Sequence, residues 1–183
     1  MKEKIIIIII SSAISFMLGF ITRMFIPTRK ESFDMEKSRT DLSLKLKDER
    51  EERGHEFTKA LHEVVKLKDS GDKNALVNSY WTLRSCGDKY FSTIECIATF
   101  LLSQKIDIKG NETAHYDEVK KCALKTITVY YELLGQVAAD NNLQITDTLD
   151  ENTLKNVRLL MKGNLSQEEY GKLLSAWKIE DNL

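Results

Sequence analysis

The run Ile5-Ile-Ile-Ile-Ile-Ile10 opens an apolar stretch with no charged residue until Arg23. From Ile5 to about Ile26 the stretch would reach roughly 33 Å as a helix, enough for the hydrocarbon core of a bilayer. Its four hydroxyl residues, Ser11, Ser12, Ser15 and Thr22, can bond back to carbonyls within such a helix. The six isoleucines add about −3 kcal/mol toward insertion. The sequence therefore predicts a transmembrane anchor built on Ile5, Ile10, Phe16, Leu18, Phe20 and Ile26, and Pro27 ends it because it has no N–H to give. A cleaved signal peptide fits less well, since the run is long and no small-x-small cleavage site follows it. Basic residues are denser after the run (Arg23, Arg29, Lys30, Lys37 and Arg39) than before it (Lys2 and Lys4). That asymmetry predicts a single-pass protein of the cell membrane with its C-terminal domain in the cytoplasm, and a lipid bilayer as first partner.

Beyond the anchor the chain is polar and helix-prone. One Pro and eight Gly in 183 residues leave few places to interrupt helices, which points to an all-α fold. The remaining length suits one core. A formal net charge of −1 gives no polyanion-binding footprint, so a nucleic-acid partner is not expected. Cys86, Cys96 and Cys122 form no C-x-x-C pair, which argues against a zinc site or a disulfide framework.

The expected organisation is an anchor at 1–27, a linker and charged helical stalk at 28–56, and a bundle of about five helices at 57–183. Residues 28–34 are expected as linker. Opposite charges at i, i+4 (Asp41/Lys45, Glu49/Arg53) suit a solvated helix. A stripe at Phe57, Leu61, Val64 and Val65 marks where this helix would dock. Ser70-Gly-Asp72 is a break. The next helix is expected from Asn74 to Ser85, with Cys86-Gly87 interrupting it and Asp88 capping another to about Lys105. A long helix follows from Thr113 to about Ala139. Thr148-x-x-Glu151 and Ser166-x-x-Glu169 are capping-box patterns for two closing helices, whose Leu154, Val157, Leu160 and Met161 should face Leu173, Leu174 and Trp177.

Three constellations suggest chemistry. Arg50-x4-His55 has the spacing seen in HEPN ribonucleases, where an Arg holds phosphate and a His moves a proton; here the pair falls in the charged stalk. Glu52-x-x-His55 and Glu112-x-x-His115, with Glu95 and Glu132 inside apolar helices, supply the ligand types of a di-iron bundle, but at positions that do not converge. Asp140 to Glu151 has oxygen donors at calcium-loop positions, with Ile145 where the turn needs glycine. No cofactor-binding motif is present.

The segment Tyr90-Phe-Ser-Thr-Ile-Glu95-Cys-Ile-Ala98, continuing to Ile106-Asp107, resembles small uncharacterised bacterial membrane proteins that join one transmembrane helix to a helical domain of unknown function. Glu95, Ile97-Ala98 and Ile106-Asp107 carry the resemblance, and Lys105 stands where glycine is usual. It implies an all-α domain and a bacterial or phage source, and no activity. If Glu95 has a role there, it is to cap or bond a neighbouring helix. The leading expectation is a membrane-tethered interaction or adaptor module with a protein partner at the membrane. The alternatives are a HEPN-like nuclease using Arg50 and His55, a phage-defence or exclusion factor, and a homo-oligomer joined through the stalk.

Overall fold

The computed structural model describes residues 29–68, 70–106, 113–143 and 154–179. The chain divides into two compact units, Met1–Leu42 and Ser43–Leu183. Helix α1, Arg29–Lys68, runs through the boundary. Within the first unit Phe33 and Met35 are exposed, and Thr40 Oγ1 donates to the Glu36 carbonyl. Residues 29–34 are helical rather than linker, because neither Gly nor Pro occurs between Pro27 and Gly54.

The membrane expectation is corrected. No helix among the described residues is long and apolar enough to cross a bilayer. The two that have the length are α1 and α2, Lys73–Leu102. Charges punctuate α1 throughout, and α2 carries Arg84, Asp88, Lys89 and Glu95, each costly at bilayer depth. The segment from Ile5 to Ile26 that carried the expectation lies outside the described residues. The single-pass location and the domain's orientation are withdrawn with it, and the described residues are all-α with no helix among them apolar enough to span a bilayer.

In the second unit three long helical bodies pack together: α1; α2; and a third made of α3 (Thr113–Lys121), a π-helical turn (Cys122–Thr126) and α4 (Ile127–Asp140). Two short helices, α5 (Lys155–Asn164) and α6 (Gln167–Trp177), close against them. The α1 helix and the third body run in the same direction. Ser43 Oγ lies 2.9 Å from His115 Nε2 at one end, and Lys68 Nζ donates to Gln136 Oε1 at 2.9 Å near the other. Between these ties the two helices are joined through a cluster of rings. Phe57 stacks on Tyr90 with centroids 5.2 Å apart, and it meets Phe91 and Tyr130 at 5.5 and 5.6 Å.

The stalk reading gives way here. Leu46 is buried to 4% exposure, and the compact unit begins at Ser43. Leu46, Arg50, Gly54 and Phe57 recur at helical spacing on one face. The sparse apolar count hides this face, because Arg50 and Gly54 do not register as core-forming.

The expected break at Gly87 does not occur, and α2 continues through it. Glycine inside a helix costs about 1 kcal/mol relative to alanine. A Cβ at position 87 would overlap the hydroxyl end of the Tyr130 ring. Gly87 is thus the notch that admits Tyr130, whose hydroxyl reaches the Arg84 carbonyl at 3.4 Å. Asp88, expected as a cap, lies within the helix, and the cap of α2 is Asp72, which accepts from the Ala75 N–H.

The closing helices match their patterns where they are described. Ser166 and Glu169 form a reciprocal capping box, and Leu154, Val157, Leu160, Met161, Leu173, Leu174 and Trp177 are buried. The Thr148–Glu151 box lies outside the described residues.

Gly87 and Gly135 give opposite expectations. Gly87→Ala gains helix propensity of about 1 kcal/mol but overpacks against a rigid ring, which costs about 1–3 kcal/mol; the cost should win, and Tm should fall. A Cβ at Gly135 meets nothing within 4 Å, so Gly135→Ala should raise Tm. Thermal unfolding followed by circular dichroism of both variants checks the pair, and a rise in both would remove the notch.

Candidate functional site

The parallel register of α1 and the third helical body puts a cleft of about 330 Å³ between them. The α1 wall contributes Arg50, Glu51, Gly54, His55 and Thr58. The facing wall contributes Glu118, Lys121 and Thr126, and Phe57 and Tyr90 form the base. Gly54 keeps the base open, since a Cβ there would sit 3.5 Å from the Tyr90 ring.

The facing wall bends where the backbone changes from α to π. The Ile127 N–H reaches back five residues to the Cys122 carbonyl, and π turns inside α-helices occur frequently at functional sites. A distant side chain braces this turn: the buried Trp177 indole N–H donates to the Ala123 carbonyl at 3.1 Å. The turn therefore depends on α6, which docks from the other end of the sequence.

Charges in the cleft are paired loosely. Arg50 Nη2 is 3.6 Å from Glu51 Oε1, and Lys121 Nζ is 3.7 Å from Glu118 Oε1. Both separations exceed a good hydrogen bond. Glu51 is 51% exposed and the Lys121 side chain 66%. An open pair such as Lys121–Glu118 contributes about 0–1 kcal/mol, so Lys121 can exchange its carboxylate at little cost, whereas the Arg50 side chain is 16% exposed and its contact with Glu51 is long.

Tyr90 lies between the walls. Burial raises its phenol above the ordinary range, with Cys122 and Glu118 adding to the shift and Arg50 opposing it. The hydroxyl therefore stays protonated, and it is engaged in a side-chain hydrogen bond with Cys122. Burial, helped by Glu118, pushes the Cys122 thiol up to about 12. Cys122 is therefore a neutral thiol beside Tyr90 and not a nucleophile at neutral pH.

The sequence candidates divide clearly. Arg50 and His55 are brought together on one cleft, although the expected stalk placed them on a solvated face. His55 is exposed at the rim. The di-iron candidates are not brought together, and no cluster of three His, Cys, Asp or Glu with metal-binding placement occurs among the described residues. Glu132 is exposed. His115 is buried and bonded to Ser43. Glu112 lies outside the described residues, as does most of the Asp140–Glu151 calcium pattern.

Glu95 is engaged elsewhere. Its two carboxylate oxygens accept the N–H groups of Asn156 and Val157 at 2.7 and 3.0 Å. Those are free donors at the start of α5, where Leu154 supplies no side-chain cap and adopts a left-handed conformation. A carboxylate at a helix N-terminus also complements the helix dipole. Tyr90, Glu118 and Lys121 were missed by the sequence reading. Tyr90 looks like core, and only the fold tells which face of the third helix meets Arg50.

Compared with protein families, curated proteins and solved structures, the chain matches none. The chemistry of the cleft therefore rests on its own residues.

Two measurements follow from this geometry. Glu95→Ala leaves two helix-end donors unmet and should cost about 1–3 kcal/mol in urea unfolding, with Glu95→Gln costing less; equal stability of all three proteins would remove the cap. In alkylation with iodoacetamide at pH 8, the exposed Cys96 should label ahead of Cys122, which should react only as fast as the unit opens. Equal labelling of the two by mass spectrometry would contradict the buried neutral thiol.

Proposed function

We propose that the Ser43–Leu183 unit is a helical recognition module whose ligand site is the cleft between α1 and the π-turned helix, and that the group it takes is a small phosphate-type anion. One observation carries this reading: Arg50 and Lys121 stand on opposite walls of a single cleft, each held only loosely by a carboxylate. The guanidinium fork suits two oxygens of a phosphate, and Lys121 offers a point charge. Glu51 is free to turn into solvent as the ligand enters. The two carboxylates keep the local field near balance, which favours weak binding in the millimolar range, about −4 kcal/mol. The interaction role expected from the sequence then becomes a definite one, recognition of a partner through an anionic group it carries.

Acid–base catalysis is the second reading, and the observation favouring it is that His55 shares the cleft with Arg50. In that case Arg50 holds a phosphodiester while His55 transfers the proton.

Titration of the full chain with inorganic phosphate by calorimetry tests the first reading. Saturable millimolar binding is expected, weakened about tenfold by Arg50→Ala. No saturation, or no effect of Arg50→Ala, would sink it. Incubation with a fluorescent single-stranded RNA tests the second: cleavage abolished by His55→Ala supports it, and an uncut substrate rejects it.

A further inference from the structure

The polar cleft does not end at Phe57. A second cavity of about 250 Å³ continues along the same two helices, lined by Phe57, Leu61, Lys125, Thr126, Val129 and Tyr130. The two cavities share Phe57 and Thr126. Along α1 the lining residues advance from Arg50 through Gly54 and Phe57 to Leu61, successive positions on one helical face. Along the facing helix they advance in the same order, from Glu118 through Thr126 to Val129. The result is one groove with a charged half and an apolar half.

The apolar half is unusual for an exposed site. Val129 stands 56% exposed at its edge, and Val65 lies 50% exposed one turn beyond Leu61 on α1. Val129 thus edges an open apolar trough, next to cations of the charged half. Arg50, Lys121 and Lys125 outnumber Glu51 and Glu118 among the groups lining the two halves. A purely apolar occupant would leave the cations unused, and a bare anion would leave the trough wet.

We infer that this groove binds a phosphate monoester carrying a short alkyl or aryl group, with the phosphate between Arg50 and Lys121 and the apolar group along Leu61, Val129 and Tyr130. The inference rests on the reading of the cleft as an anion site and specifies its ligand class. At roughly 30 Å³ per water-sized unit the apolar half holds about eight such units, which accommodates a six-carbon chain. Each methylene entering a half-open trough should tighten binding by roughly threefold, somewhat less than complete burial gives.

The test titrates the full chain with inorganic phosphate, butyl phosphate, hexyl phosphate and 1-hexanol, following backbone amide shifts by NMR. Affinity is expected to rise in the order inorganic, butyl, hexyl, with 1-hexanol weaker than hexyl phosphate and the largest shifts on residues 50–61 and 118–130. Val129→Asp should flatten the dependence on chain length. If inorganic phosphate binds and the alkyl chains add nothing, the inference is overturned and the anion site survives. If 1-hexanol binds as tightly as hexyl phosphate, or Val129→Asp leaves the series unchanged, the inference is likewise overturned. If no phosphate binds, the anion site and the inference fall together.

Discussion

The insertion of Phe57 among Tyr90, Phe91 and Tyr130 is the contact on which the rest of the Ser43–Leu183 unit depends. Helix α1 is mostly charged, and apolar burial along it is confined to Leu46, Phe57, Ala60 and Val64. Aromatic rings carry a large apolar area and lock into edge and stacked geometries, so one ring can hold a polar helix where several small residues would not. The same ring has a second consequence. It reaches the third helical body at Tyr130 and lines both halves of the groove. Stability and site are therefore set by one packing choice, with Gly87 opposite, shaped to receive Tyr130.

The shorter helices depend on bonds that cross the fold. The α5 helix starts without a local cap and takes its N-terminal partners from Glu95, some sixty residues earlier. The π turn gives up regular α geometry and gains the Trp177 indole on one of its carbonyls. Buried backbone groups must find partners somewhere, and here three of them, the Asn156 and Val157 N–H groups and the Ala123 carbonyl, find side chains from distant elements. Charged or aromatic groups placed this way are strongly orienting, because each satisfies a donor or acceptor that nothing nearby can reach. They also couple the groove to the C-terminal hairpin, since the wall carrying Lys121 and Thr126 is braced from α6.

Several elements were legible from residues alone. The apolar spacing placed the facing sides of α5 and α6, and Ser166-x-x-Glu169 marked a helix start that closes as a full capping box. Glu95 carried two expectations, a metal ligand and, beside the resemblance, a cap on a neighbouring helix, and it bonds the start of α5. The failures have physical causes. Gly87 looked like a break because propensity describes an isolated helix, whereas a notch is justified only by the ring that fills it. Residues 43–56 looked like a solvated stalk because pattern reading counts apolar side chains, and an Arg and a Gly can both lie on a packed face. The spacing of Arg50 and His55 is visible in the sequence, but their place on a cleft is not, for the same reason.

The sequence by itself determined the helical character of the chain: few helix breakers, apolar positions at helical spacing, and turn residues at Ser70–Asp72 and Asp140–Asn142. These are local properties, decided by backbone geometry and side-chain entropy within a few residues. The tertiary structure alone decided that α1 lies parallel to the third helical body, that Glu118 and Lys121 face Arg50, and that an apolar trough continues the charged cleft. None of these has a local signature, because each depends on the register between helices more than sixty residues apart. That register is set by how Phe57, Tyr90 and Tyr130 fit one another, a matter of shape that composition and periodicity do not carry.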